Sequence, residues 1–148
     1  MQAFLLNRKL NMAAQLHAIH IKHIIYASPE KVFEALTKPS ALQKWIEGTV
    51  VFELKTDGNV ELFDGWMKGS IIHFTKDKTF AYTWKPSTWD KKAKPSTVEF
   101  NLKKVAAGTE VEIIHTDFPS EKEAASHEQG WMNFVLDPLN DYFITQMG

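Results

Sequence analysis

The sequence contains no cysteine, and this absence removes three classes of site together. Disulfide bonds, thiolate metal ligands and a cysteine nucleophile are all excluded, and a chain without cysteine fits a reducing compartment. No serine stands in a recognisable arrangement with a partner base, so no motif supports nucleophilic catalysis. These absences favour a binding protein over an enzyme, and the residues predict no metal and no organic cofactor.

Long apolar runs and concentrated charge are also missing. No segment approaches the roughly 18–20 apolar residues that cross a bilayer. At the N-terminus the charges of Arg8 and Lys9 follow the apolar run 3–6, which reverses the order of a secretory signal. The net charge is −1 without a basic stripe, so nucleic acid is not an expected partner. The sequence predicts a cytoplasmic protein without a membrane span.

What the chain does have is aromatic side chains in number. Five Trp and ten Phe in 148 residues are many, and such side chains either fill a thick core or line an apolar cavity. The length suits a single domain. Residues 1–17 show no clear pattern and are predicted to form an N-terminal extension, peripheral or poorly ordered, which leaves residues 18–148 as the domain.

Alternation of apolar and polar residues between about residues 18 and 116 is typical of short strands, and about six are predicted. Asp57-Gly58 marks a turn between two of them, and Asp64-Gly65 marks a second turn or a bulge. After the first strand, Ser28-Pro29-Glu30 predicts a helix with a hydroxyl N-cap and proline in its first turn. Ser40-x-x-Gln43 is a capping-box pattern and predicts a second short helix.

The last part of the chain predicts one long amphipathic helix, from about residue 126 to residue 145. Capping-box patterns at Ser120 and Ser126 offer two alternative starts. Pro138 is expected to remove a backbone hydrogen bond and kink the helix. Gly130 is expected to mark a close approach to the sheet or to a neighbouring helix. Apolar residues at steps of three and four define the predicted buried face: Trp131, Phe134, Val135, Leu139 and Tyr142.

Histidines are the residues most able to carry chemistry. His17, His20 and His23 lie near or on the first strand, where alternation points His20 and His23 to opposite faces, so they are not expected to bind one metal ion. His115 is expected to face inward near the end of the last strand. It is either a cavity base or hydrogen-bond donor for a ligand, or a core histidine satisfied by backbone or by Asp117.

Several segments, in this order and spacing, carry a resemblance to a known family that covers about residues 18–145. They are Ile25–Thr37, Leu42–Trp45, Gly69–Ile72, Phe80–Trp84, Gly108-Thr109 with His115-Thr116, and His127–Trp131. The chain resembles the family named for the activator of heat-shock protein 90 ATPase, within the START-like, or SRPBCC, helix-grip group. The resemblance implies an α+β fold in which a curved antiparallel sheet of about six strands wraps around a long C-terminal helix, with two short helices after strand one.

The resemblance also implies a place for function, because helix-grip domains commonly leave an apolar space between the sheet and the long helix. The aromatic side chains either fill this space as a solid core or line a cavity that binds a hydrophobic small molecule. The residues predicted to line it are Trp45, Phe52, Phe74, Tyr82, Trp84, Phe100, His115, Trp131 and Phe134.

Two alternative functions stay open at this point. One is a chaperone-interaction domain that stimulates the heat-shock protein 90 ATPase, as part of a stress response. The other is an enzyme of the cyclase or dehydratase kind, with His115 as the base. A contiguous cavity would favour ligand binding or catalysis, whereas a filled core with an exposed apolar patch would favour a protein partner.

Overall fold

A computed structural model of the protein describes residues 17–147. The predicted N-terminal extension therefore lies outside the described residues, apart from His17. The strands are β1 (Ile19–Ile25), β2 (Val51–Phe52), β3 (Asn59–Leu62), β4 (Met67–Thr75), β5 (Thr79–Pro86), β6 (Ser96–Val105) and β7 (Gly108–Thr116). The helices are α1 (Pro29–Thr37), α2 (Pro39–Leu42), α3 (Glu121–Trp131), a π turn (Met132–Leu136) and α4 (Asp137–Met147).

All seven strands form one antiparallel sheet in the order β1-β7-β6-β5-β4-β3-β2. About six strands were expected, and the additional one is β3, which pairs with β2 on one side and β4 on the other. Only one pair of strands is out of chain order, because β1 lies beside β7. The predicted α+β architecture, with two short helices after the first strand and a long C-terminal helix, is confirmed.

The two short helices begin differently. At the start of α1, the Ser28 hydroxyl accepts a hydrogen bond from the backbone N–H of Lys31 at 3.4 Å, so the predicted N-cap is confirmed. Helix α2 has no side-chain cap and begins at Pro39, whose fixed φ suits a first helical position. The predicted capping box is wrong, because the Gln43 side chain instead donates to the Gly48 carbonyl at 2.8 Å.

Helices α3 and α4 form one continuous helical segment through the π turn. Of the two predicted starts, Ser120 is the correct one, since its hydroxyl accepts from the backbone N–H of Glu123 at 3.1 Å. Within the π turn the Asp137 N–H donates to the Met132 carbonyl, five residues back. The wider turn comes directly before Pro138, which has no N–H to donate, so the disturbance predicted at this proline takes the form of a π turn.

The π turn also changes which side chains of the long helix are buried. The buried positions advance by four residues, a longer step than a regular helix sustains, because the π turn holds an extra residue. Burial is confirmed for Trp131, Val135 and Leu139, and extends to Leu136 and Phe143. Phe134, which was expected to be buried, is 51% exposed.

The core at one end of the sheet is filled by aromatic rings, which we call the packed end: Phe33, Phe52, Phe80, Tyr82 and Phe100. Phe80 is fully buried and stacks on Phe100 with ring centroids 4.5 Å apart. Phe33 meets Phe80 edge-on at 5.6 Å, and Phe52 meets Tyr82 edge-on at 5.7 Å. Contact between these rings fills the core beside Phe80, whereas Trp84 lies toward the opposite end of β5. A second pocket, of about 510 Å³, lies beside α1 and includes Phe33 and Phe52 in its lining.

Candidate functional site

A cavity of about 650 Å³ opens beside α3, at the end of the core that contains Trp84. Its volume falls within the roughly 300–1,000 Å³ of small-molecule pockets. The aromatic residues that line it define the cavity end of the core: Phe63, Trp66, Trp84, Trp131 and Phe134. The other lining residues are Glu47, Gly48, Asp64, Thr88, Glu123, Ser126, His127, Gly130 and Val135.

One wall of the cavity is the turn between β3 and β4. Phe63, Asp64 and Gly65 have successive φ values of 56°, 61° and 81°, so three residues in the left-handed region reverse the chain tightly. The Asp64 carboxylate holds this turn by accepting from the backbone N–H of Thr49 at 2.8 Å. The turn brings the rings of Phe63 and Trp66 together edge-on at 6.2 Å. The turn agrees with the prediction from Asp64-Gly65, whereas the aromatic residues on either side of it were not expected to line a site.

The opposite wall is the side of α3 that carries Ser126, His127 and Gly130, and no neighbour outside the helix backbone lies within 4 Å of the position that a Gly130 Cβ would occupy. The expectation that Gly130 marks a close backbone approach is therefore wrong. A glycine inside a helix costs roughly 1 kcal/mol relative to alanine. In this protein no packing contact offsets that cost, and the missing side chain leaves room in the cavity that Gly130 lines.

Behind the cavity wall, His115 lies in a chain of hydrogen bonds whose direction is determined. The indole N–H of Trp131 donates to His115 Nδ1 at 3.0 Å, and because an indole can only donate, Nδ1 carries no proton. His115 Nε2 therefore carries the proton and donates to the Ser96 hydroxyl at 2.8 Å. That hydroxyl donates in turn to the Trp84 carbonyl at 2.7 Å. Burial, with His127 nearby, lowers the pKa of His115 well below its usual value.

The inward orientation predicted for His115 agrees with its complete burial, but its partners differ from those expected. Ser96 and Trp131 satisfy its ring, whereas Asp117 does not contact it through a hydrogen bond. His115 does not line the cavity. To take a proton from a ligand it would have to give up the Trp131 hydrogen bond, so the geometry does not favour His115 as a base.

His127 is a polar aromatic residue of the cavity wall and was not among the predicted site residues. The Trp84 indole N–H donates to His127 Nε2 at 3.1 Å, which leaves the proton on Nδ1. Nδ1–H donates to the Glu123 carbonyl at 2.8 Å. Burial lowers the pKa of His127, and the hydrogen bond and charge of Glu123 oppose this only in part. The ring also stacks on Trp66 with centroids 6.3 Å apart. Because both ring nitrogens are already hydrogen-bonded, His127 presents no free basic nitrogen to the cavity.

The loop that follows β5 is fastened to the same helix. Trp89 is 8% exposed, and its indole N–H donates to Glu123 Oε2 at 3.1 Å. Glu123 thus receives hydrogen bonds from Trp89 through its carboxylate and from His127 through its carbonyl. His127 lies four residues from both Glu123 and Trp131, and this helical spacing could have indicated that the three side chains share one face of α3.

The structure divides the predicted ligand-binding residues among several places. Those that line the cavity are Trp84, Trp131 and Phe134. Those that belong to the packed end are Phe52, Tyr82 and Phe100, and burial raises the pKa of Tyr82. Phe74 pairs with Phe80 in the sheet register but is 38% exposed.

Trp45 lies outside the cavity lining, and its indole N–H donates to the Ala35 carbonyl of α1 at 2.9 Å. The cavity residues that the sequence did not single out are Phe63, Trp66 and His127. A local pattern could have indicated the first two, because aromatic residues directly flank Asp64-Gly65.

His20, His23 and His73 lie on strands of the sheet and outside the cavity lining. His20 Nε2 is 2.7 Å from a carboxylate oxygen of Glu112, and His73 Nε2 is 3.6 Å from one of Glu99. Over residues 17–147, no three His, Cys, Asp or Glu side chains are grouped so that they could hold a metal ion. No helix in this part of the chain is long and apolar enough to cross a membrane.

Several solved structures have the same fold. An HSP90 activator from Plasmodium falciparum superposes with a TM-score of 0.77 at 24% identity, covering 86% of this chain and 96% of that one. A protein from Mesorhizobium loti gives 0.75 at 21% identity, covering 86% and 97%. CalU16 from Micromonospora echinospora gives 0.71 at 26% identity, covering 85% and 73%.

No curated protein sequence matches the chain significantly. A family model does match, over residues 26–143, and its description is "Activator of Hsp90 ATPase homolog 1-like protein". The matched region begins after β1 and ends inside α4, so it includes the packed end, the cavity and most of the long helix. The resemblance seen in the sequence is confirmed: the chain belongs to the Activator of Hsp90 ATPase homolog 1-like family, with a START-like helix-grip fold.

Proposed function

We propose that this protein binds a hydrophobic, aromatic small molecule in the cavity beside α3. The observation that carries the proposal is an open cavity of about 650 Å³ whose lining includes five aromatic side chains and an unfilled glycine position. Flat apolar walls with a few polar groups are typical of small-molecule sites. One fold can carry unrelated functions, so the proposal depends on the cavity and not on the fold.

The aromatic rings of the wall are arranged to receive a flat molecule. Trp66 meets Trp84 edge-on with centroids 6.3 Å apart, and Phe63 meets Phe134 edge-on at 6.3 Å. Trp66 is 36% exposed and Phe134 is 51% exposed, so a ligand that covered them would remove apolar surface from water. Single exposed aromatic residues are common on protein surfaces, whereas neighbouring exposed aromatic residues beside a cavity indicate a binding site.

Native mass spectrometry of freshly purified protein tests whether a small molecule accompanies it. Dansyl amide, an apolar fluorophore that accepts energy from tryptophan, then tests the site itself. Gly130→Leu places a side chain in the cavity and should weaken dansyl amide binding at least tenfold. Ala125→Leu adds the same side chain at an exposed position of α3 outside the cavity and should leave binding unchanged.

Two results would refute this site. One is dansyl amide binding that both leucine variants retain at full strength while thermal melts show both to be folded. The other is the absence of any binding by the unmodified protein. Trp66→Ala gives a second check that adds no bulk to α3, and it should weaken binding by removing one aromatic wall.

Family membership and the likeness to the P. falciparum activator favour a second function, stimulation of a heat-shock protein 90 ATPase. The assay adds purified protein to heat-shock protein 90 and measures ATP hydrolysis. Stimulation that survives Gly130→Leu would assign this activity to a surface separate from the cavity. Lack of stimulation at saturating protein would remove this second function and leave ligand binding unaffected.

A further inference from the structure

The polar groups around the cavity are unequally divided between acceptors and donors. Three carboxylates line it, those of Glu47, Asp64 and Glu123, whereas no lysine or arginine is found among the described lining residues. An ionised carboxylate only accepts hydrogen bonds. The rim is therefore negatively charged, and its charged groups accept hydrogen bonds and do not donate them.

The side chains of the wall that could donate are largely committed to the interior. The indole N–H of Trp84 is used by His127, and that of Trp131 by His115. The proton of His127 is on Nδ1 and is donated to the Glu123 carbonyl. The side-chain donors that face the cavity are then the hydroxyls of Thr88 and Ser126 and the indole of Trp66.

Resting on the proposed function, we infer that the ligand is a cationic aromatic molecule, an aryl or arylalkyl amine, and not an aromatic acid. Its ring would lie among Trp66, Trp84 and Phe134, and its ammonium group would reach the carboxylates of Glu47 and Asp64 at the rim. A cation near the faces of tryptophan rings gains a further attraction from their quadrupoles. An aromatic carboxylate would meet like charges and few donors.

Glu47 and Asp64 are the carboxylates to substitute in a test of charge selectivity. Glu123 is less suitable, because it also accepts hydrogen bonds from Trp89 and His127. Both side chains are exposed, so solvent and salt screen them and the expected selectivity is moderate. Glu47→Gln and Asp64→Asn remove the charges with little change of shape. Asparagine keeps an acceptor oxygen for the Thr49 N–H and tolerates the positive φ of residue 64.

The test is a titration with three dansyl compounds of nearly equal size: N-(2-aminoethyl) dansyl amide, a cation; N-propyl dansyl amide, which is neutral; and dansylglycine, an anion. The unmodified protein should bind the cation about three- to tenfold more tightly than the neutral compound, and the anion most weakly. Added salt should reduce the preference. The double variant Glu47→Gln/Asp64→Asn should lose most of it.

A matched control removes two carboxylates elsewhere. Glu128→Gln/Asp141→Asn changes the net charge equally, at exposed positions outside the cavity, and should keep the preference. Equal binding of all three compounds would overturn the inference and leave the proposed function standing. A cation preference that persists in Glu47→Gln/Asp64→Asn would also overturn it. Failure of all three compounds to bind would reject the proposed function and this inference with it.

Discussion

The two ends of the core contain aromatic side chains in similar number but of different kinds. At the packed end, phenylalanine rings surround Phe80 with centroids as close as 4.5 Å, and no polar hydrogen-bonding chain runs between them. At the cavity end, tryptophan and histidine alternate in a directed network, and a volume of about 650 Å³ remains open. Phenylalanine fills space without further requirements, whereas tryptophan needs a partner for its N–H. The polar network can therefore hold a wall in place without filling the space beside it.

Truncating one ring at each end should give the largest contrast. Phe80→Ala removes a fully buried ring and should lower the free energy of unfolding by about 3–5 kcal/mol. Phe134→Ala removes a ring that is 51% exposed and should cost less than about 1 kcal/mol. Urea melts of both variants measure this. Equal losses would show that the two ends do not differ in packing.

The next effect isolates the hydrogen bond at the cavity end. Trp131→Phe keeps an aromatic ring but removes the donor to His115 Nδ1, which is fully buried. An unsatisfied buried acceptor costs about 1–3 kcal/mol, so we expect a loss in that range. As a control, Trp45→Phe removes a donor to a backbone carbonyl outside the cavity lining. A loss for Trp131→Phe no greater than experimental error would mean that the proton assignment for His115 is wrong.

Acid should affect the cavity end through both histidines. Burial is the main cause that lowers the pKa of His115 and of His127 in the folded protein. In the unfolded chain both side chains have the ordinary histidine pKa of about 6.5. Below about pH 6.5 the unfolded chain binds more protons, so the free energy of unfolding should fall as the pH is lowered and be independent of these groups above it.

Urea melts between pH 7 and pH 5 measure this dependence, and His127→Gln should reduce its slope. His73→Gln, at an exposed histidine of the sheet, is the control and should leave the slope in place. A slope unchanged by His127→Gln would contradict the assignment of His127 as a neutral, buried group.

The smallest expected effect is a gain. Gly130→Ala adds a methyl group where no atom lies within 4 Å, so the helix propensity of alanine should raise the free energy of unfolding by up to about 1 kcal/mol. Thermal and urea melts check the sign. A loss of stability would show that the space beside Gly130 is needed for packing after all.

Sequence patterns predicted the elements well, because strand alternation and turn residues are local. Ser28 as an N-cap and the inward-facing side chains of Tyr82 and Trp84 needed no distant contact, whereas the pairing of β1 with β7 joins strands that are far apart in the sequence. The π turn was not predicted, since periodicity alone does not show where a helix takes in an extra residue. As a result Phe134 was placed in the core although it is half exposed.

The site was harder to predict than the fold because alternation gives the face of a sheet but not the position along it. Phe52, Tyr82 and Phe100 do face inward with Trp84, yet only Trp84 reaches the cavity. Trp66 and His127 meet across a separation of about sixty residues, and their stacking at 6.3 Å depends on the left-handed turn at Phe63–Gly65. No single segment of sequence contains that contact.

The most direct test of the cavity as the binding site is the indole N–H spectrum of the five tryptophans, recorded by NMR during a titration with dansyl amide. The resonances of Trp66 and Trp84, in the cavity wall, should move most as the ligand is added. The resonance of Trp45, bonded to the Ala35 carbonyl, should stay in place. A titration that moves Trp45 and leaves Trp66 and Trp84 unchanged would contradict the account.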